Sequence, residues 1–537
     1  MNAKNINKIQ ALISSNDRYA LQVYLKELTK SEIQLYKHLP VYHDLLLFIL
    51  AYPTDAPEIN LAEKLLRKIS AFLKKNVHSL PYSLINSGLP YTNTITQFSH
   101  DFLEWISTRE NCSFYFDYHQ QSSTLPGSVL QNVLPYVERL DVDDSANWEE
   151  LFEQLGIQEN KRDEFVVSSF ATLNNQPWIK DYLFDSLELY STLSPKNEQF
   201  SRTYNRIAMK SVFYHTEILR KYDFIAILNS PLAPERLMAP NERIEVCDCL
   251  KNTMALTARE TDPATFMEPK SLKLFDLQRG ISVAIFGMTV LRQLPFETYF
   301  GFTLFKNGLP AAYGGAWVFG KRARFGINIF EPYRGGESGI VMGEILHVYK
   351  QCFDIDFIEI EAYQFGQDNP DGIKSGAYWF YYKHGFRSID KKLRQLAEEE
   401  KAKMNLKPGY RSNEKTLLRF TESNMALMLT PNTPTDVTEL NILIRKNINK
   451  QFKGIRTSAL QMAFSQIINR KPVILATHEQ KHISAEWALL AQACGVFAMD
   501  ENQIFLDRIE EIIEFRINDL YKYQKNLNSL IQDLIKK

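Results

Sequence analysis

Between Phe296 and Arg387 the chain offers strand-like runs, then a glycine-rich loop opening a helix, then another strand and a second helix ending in His384-Gly385-Phe386. That order restricts the fold more than any other feature. Tyr299–Lys306 and Leu309–Phe319 read as strands, with Asn307-Gly308 between them. Both residues of that dipeptide tolerate positive φ, so they predict a type I′ hairpin. Gly314-Gly315 predicts a bulge in the returning strand. Gly320-Lys321-Arg322 turns the chain again. Ile281–Phe286, Arg324–Phe330 and Phe357–Tyr363 are further strand candidates. The loop Glu331–Ile340 joins a strand to an amphipathic helix, Ile340–Cys352. The first amides of such a helix have no intrahelical acceptor, and glycines let an anion approach the backbone, so this loop is a candidate diphosphate site.

A chain of 537 residues exceeds one ordinary core, and two to four domains are expected. Composition is that of a globular protein, 45% hydrophobic and 23% charged. The net charge of -1 gives no global signal for nucleic acid or an anionic membrane. Five cysteines, an odd and sparse set, fit a reducing compartment, and Cys247-Asp248-Cys249 lacks the second cluster that a metal site needs. The first residues contain no apolar secretory core. The longest apolar run, Leu45–Ala51, falls far short of the ~20 residues that span a bilayer. A cytoplasmic location without a membrane span is the expectation.

Helical spacing predominates in residues 1–265, a helical domain. Strand signals concentrate in 266–395, giving a mixed α/β, multi-domain fold. Residues 396–436 read as a linker region through Lys407-Pro408-Gly409 and Thr430-Pro431, with Glu398–Lys403 as a solvated helix face. Residues 437–537 return to helical spacing.

The stretch Ser375–Arg387 sharpens the reading. With Arg334 and Gly339 in the loop, and Ala377, Tyr381, Gly385 and Phe386 on the later helix, the central region resembles the GCN5-related N-acetyltransferase (GNAT) superfamily. The resemblance implies a GNAT-like mixed sheet flanked by helical regions, and a CoA-dependent N-acyltransferase. Its co-substrate would be acetyl-CoA or another acyl-CoA, its acceptor an amine, and no metal is expected. It implies that Arg334, Gly335, Gly336, Ser338, Gly339 and Ile340 hold the diphosphate and that Ile327, Ile329 and Phe330 line the acyl arm. Asn369 and Lys374 stand near the family's asparagine position. Tyr381 would protonate the leaving thiolate, as a phenol beside the sulfur can. The chain also departs from the pattern. Glu337 replaces a loop glycine. Arg322 and Arg324 occupy the region of the family's base, leaving Glu331 as a substitute. Only Thr289–Pro295 separates the first two strands, where two helices usually form the acceptor wall, so the N-terminal region must supply it.

Three alternatives stand beside this reading: a catalytically degenerate GNAT-like binding or scaffold protein, an aminoacyl-tRNA-dependent transferase, and a zinc hydrolase. The last rests on His478-Glu479-Gln480-Lys481-His482, which matches HExxH. Thr477 and Gln480 form a capping-box pattern that places this motif in an exposed first turn, and a third ligand is unassigned: Glu486 lies a further turn along, and Glu501, at a more suitable separation, has nothing else to single it out. His347 reads as a surface residue. His384 sits at a helix C-terminus, where an imidazolium is favoured.

Overall fold

A computed structural model describes residues 3–33, 36–119, 122–334, 336–470, 477–498 and 502–535. Three short strands, β1 (Thr94–Thr96), β2 (Cys112–Phe116) and β3 (Ser191–Pro195), form a small antiparallel sheet with β3 in the middle. Helices between Phe98 and Phe200 close over it around Phe102, Leu151, Phe170 and Phe184. The N-terminal region is therefore not wholly helical. It holds this separate α+β body, while helices Leu39–Ala51 and Ala56–Lys75 share the core of the main sheet.

The main sheet has eight strands: β4 (Lys273–Asp276), β5 (Ile281–Gly287), β6 (Thr298–Lys306), β7 (Leu309–Phe319), β8 (Arg322–Ile329), β9 (Phe357–Ile360), β10 (Arg387–Ser388) and β11 (Met425–Met428). Their order is β10-β11-β9-β8-β7-β6-β5-β4. Only β8 and β9 run parallel, joined by the helix Ser338–Phe353; every other neighbouring pair is antiparallel. A parallel pair needs such a crossover because its ends lie at opposite edges of the sheet.

The β6–β7 hairpin turns through Asn307 (φ 46°) and Gly308 (φ 82°), the two positive φ angles of a type I′ turn. The bulge lies elsewhere than expected. Register slips between Leu304 and Phe305, whereas Gly314 and Gly315 pair regularly with Phe302 and Gly301. Residues 396–436 are not a linker. Helices Lys391–Leu406 and Glu414–Phe420 lead into β11, which is inserted between β9 and β10. The charged run is only partly a solvated face, because Glu400 is buried and accepts bonds from Tyr410, Ser412 and Lys403.

Helices from Val437 onward build a third core around Trp487, Ile509 and Tyr523. The helix Leu520–Ile535 reaches back to the sheet. Tyr521 donates its hydroxyl to the carbonyls of Ser271 and Ile285, and Gln524 bonds Gly320 N–H and Thr298 Oγ1. No helix among the described residues is long and apolar enough to cross a membrane.

Candidate functional site

Strands β8 and β9 pair only from Arg322–Phe325 against Phe357–Ile360; β8 then runs on to Ile329 without β9 beside it. Beyond Glu361 the chain tightens into a short 3-10 turn, Ala362–Phe365, which swings Gln364 into the gap. A backbone amide freed from a ladder still needs an acceptor. Gln364 Oε1 accepts the Ile327 N–H at 3.3 Å and lies 3.5 Å from the Tyr381 hydroxyl. Two donors therefore converge on one carbonyl oxygen. Gly326 permits this approach, since a Cβ there would sit 3.2 Å from Gln364 Nε2.

Tyr381 projects from the helix Ala377–Lys383, its ring edge-on to Phe365 and Phe386. Burial pushes its phenol well above the ordinary value, so it keeps its proton at neutral pH and can donate. Ile327 and Phe330 are buried and Ile329 is half-buried.

The glycine loop is organised differently from an open diphosphate cradle. Glu337 is buried, and its carboxylate bonds Lys306 Nζ (2.8 Å), the Arg279 guanidinium and the Leu219 N–H (3.1 Å). Burial alone would raise its pKa; the Arg279 bonds and the Lys306 charge outweigh that and hold it down at about 2. Residues 217–223, an extended strap ahead of the helix Phe224–Asn229, cross the start of the helix Ser338–Phe353. Arg220 donates to Gly336 O at 3.4 Å, and Tyr222 Oη bonds His384 Nε2 at 2.6 Å. Tyr222 covers Gly339, and Tyr52 covers Gly336. As folded, the two glycines present no bare backbone to an anion. Arg334 is exposed, with its Nε on Ile329 O, and Ser338 Oγ donates to Arg334 O. Ile340 is buried. Gly335 lies outside the described residues.

This geometry makes a local prediction. Gly339→Ala places a methyl where the Tyr222 hydroxyl sits, so the Tyr222 ring must move and the bond to His384 that pins the strap is lost. Limited proteolysis should then cut within 217–223 several-fold faster than in the parent, because local opening governs cleavage.

Other expected positions are reassigned. Glu331 is exposed, 3.7 Å from Arg334, and lies outside the cavity described below, so it is poorly placed as a base. Asn369 caps the helix Pro370–Ser375, accepting from Gly372 N–H and donating to Tyr363 O. Lys374 is exposed on that helix. His347 is buried rather than superficial, with Nε2 on Ser230 O and Nδ1 facing Glu344. His384 is also buried. Burial lowers its pKa, so it is neutral, with Nδ1–H on Phe380 O and Nε2 accepting from Tyr222. Cys247 and Cys249 are buried free thiols on one helix.

The HExxH segment begins the helix His478–Ala493 with the expected Thr477–Gln480 capping box. His482 faces Glu486 at 3.3 Å, and Glu486 pairs with the buried Arg516, so that carboxylate is already committed. Glu501 and the His478 side chain lie outside the described residues. Among the described residues one metal-like cluster occurs, His100–Asp101–Glu104, but Lys180 and Arg292 hold its Asp101.

On the sheet face opposite the helix Ser338–Phe353, strand register sets three glycines in a row: Gly301, Gly315 and Gly326. The rows beside it are Tyr299–Trp317–Arg324 and Thr303–Tyr313–Asn328. Phe286 fills the space over Gly301 and Tyr299 that over Gly315, and beside them lies a cavity of about 440 Å³, lined by Gly315 and Gly326, that reaches Gln364 and Glu361 at the strand gap. Its outer wall comes from Met254, Glu260, Pro263 and Ala264, all in the N-terminal region. Glu260 and Glu361 were not singled out by sequence reasoning, and the row of glycines in three successive strands is visible only once the register is known. No protein-family model, no curated protein and no solved structure matches this chain.

Proposed function

We propose that this chain is an N-acyltransferase of the GNAT type, drawing its acyl group from a CoA thioester at the gap between β8 and β9. One observation carries the reading. The Ile327 N–H and the Tyr381 hydroxyl point at a single carbonyl oxygen in that gap, at present the side-chain amide of Gln364. A thioester carbonyl in its place would meet a backbone donor that polarises it and an acid beside its sulfur. The strand order, with β11 between β9 and β10 and a partly unzipped parallel pair, further supports it.

The amine nitrogen attacks the thioester carbon from the cavity side. A C–N bond forms and the C–S bond breaks. Tyr381 gives its proton to the departing thiolate, and the ammonium proton passes to Glu361, Glu260 or solvent, which restores the phenol in turn. Gln364 must swing aside, and the strap at Tyr222 must yield if the donor's diphosphate is to reach the loop backbone.

Calorimetric titration of the full chain with acetyl-CoA and with CoA tests the donor. A Kd between ~1 µM and ~1 mM is expected, the span of ordinary substrate affinities. Absence of binding at ~1 mM overturns the reading. A second reading, a GNAT-like fold kept for binding alone, is favoured by the covered glycines and by the committed Glu337. It predicts that Tyr381→Phe changes nothing. Dependence on charged tRNA in place of CoA would identify the aminoacyl-transfer alternative.

A further inference from the structure

The glycine-floored cavity has a chemical character that narrows the acceptor. Tyr299 lies across Gly315, edge-on to Trp317 with ring centroids 5.2 Å apart. Tyr313 stands in the row beside the glycines and stacks on Phe330 at 5.1 Å. Aromatic faces without a cation over them attract organic ammonium groups. Two carboxylates, Glu260 and Glu361, share this lining. The guanidinium of Arg324, the cation in the lining, is engaged by Glu297 at 3.1 Å and Glu361 at 3.8 Å. Among the described residues no cation pairs with Glu260. Within that lining the one cation offered to a carboxylate-bearing acceptor is the engaged Arg324, with Arg259 next to Glu260 acting on Tyr313 from nearby, whereas an ammonium finds aromatic faces and an acid.

Glu260 also lines a second hollow of about 440 Å³, between the small α+β body and the segment 258–262. Asp185, Glu188 and Asp262 line it, against the lone Arg259. Burial is the main cause that raises Asp262 to about 6; a bond from Ser99 opposes it, and the charges of Glu260, Asp181 and Asp185 add to it. Glu260 stands in the wall of both hollows, the aromatic one at the strand gap and the acidic one beside it.

We infer that the acceptor is an aliphatic amine carrying a second positive charge, with one nitrogen among Tyr299, Tyr313 and Trp317 facing the gap and the other cation over Asp185, Glu188 and Asp262. This assignment of substrate class rests on the acyl-transfer reading for its chemistry, but binding alone can test it. A diamine matches two adjoining chambers in charge; a monoamine satisfies one; an amino acid brings a carboxylate against Glu260.

The experiment is calorimetric titration of the full chain, without donor, using putrescine and butylamine, repeated with Glu260→Gln and Trp317→Ala. Putrescine should bind about tenfold more tightly than butylamine, and each substitution should weaken putrescine about five- to tenfold, the range of a cation–π contact or a partly desolvated ion pair. Glu260 is exposed, so Glu260→Gln keeps the test valid even if Trp317→Ala fails to fold. Equal affinity for the two amines overturns the inference, as does acetyl-CoA binding with no putrescine binding. Putrescine binding that Glu260→Gln weakens, in a chain that does not bind CoA, supports the chamber assignment while overturning the acyl-transfer reading.

Discussion

Tyr381→Phe should lower the turnover of acyl transfer about 100-fold, the low end of what a positioned general acid supplies, and should leave donor affinity unchanged. The substitution removes one oxygen from a buried ring and retains its contacts with Phe365 and Phe386, so the fold should persist. The phenol lies well above its ordinary value because of burial. The parent's rate should therefore hold on the alkaline side through about pH 10, where an ordinary tyrosine would already be half ionised. Steady-state kinetics from about pH 6 to about pH 11, with circular dichroism as the check on folding, decide it. An unchanged turnover would favour the scaffold reading over catalysis.

Glu337→Ala should be the most destabilising single change near the loop, by about 3–5 kcal/mol, because it leaves Lys306 and Arg279 with an uncompensated buried charge. Lys306 is fully buried, and its ammonium also lies 4.8 Å from the centre of the Tyr52 ring. The pH dependence has a definite sign. The folded carboxyl sits at about 2, below its ordinary 4.5, so its contribution is complete above the ordinary value and disappears as pH falls from there toward 2. The difference between parent and variant in urea unfolding should be largest at pH 7 and should narrow by pH 3. A constant difference would assign the loss to packing instead of charge.

Much of the central fold could be read from local chemistry. Asn307-Gly308 fixed the hairpin because few other dipeptides accept two positive φ angles. Ile281–Phe286 and Leu309–Phe319 read as strands because apolar runs between turn residues are a local property. β11 was not legible. Met425–Met428 is four residues long, follows two charged helices, and pairs with β9, over sixty residues earlier in the chain. Its strand character comes from long-range pairing, which no window around residue 425 contains. The role of Glu337 was hidden for the same reason. Its partners Arg279 and Lys306 lie on other elements, so a carboxylate that seemed to oppose an anion proved to anchor the strap. Tyr381 could be placed by its spacing to Gly385-Phe386, but Gln364, the group it meets, carries no motif. The aromatic chamber emerged only from cross-strand register, which sets Gly301, Gly315 and Gly326 side by side although each alone looks like an ordinary strand glycine.

The insertion of β11 bears on how the molecule is made. During synthesis the ribosome releases Tyr381 and the whole of β9 well before Met425, and the β9 edge stays open until that late segment arrives. The carbonyls of Ser271 and Ile285 wait longer still, for Tyr521. An excised 266–395 fragment would therefore expose an unpaired strand edge and an uncovered apolar face, the surfaces on which partly made chains aggregate.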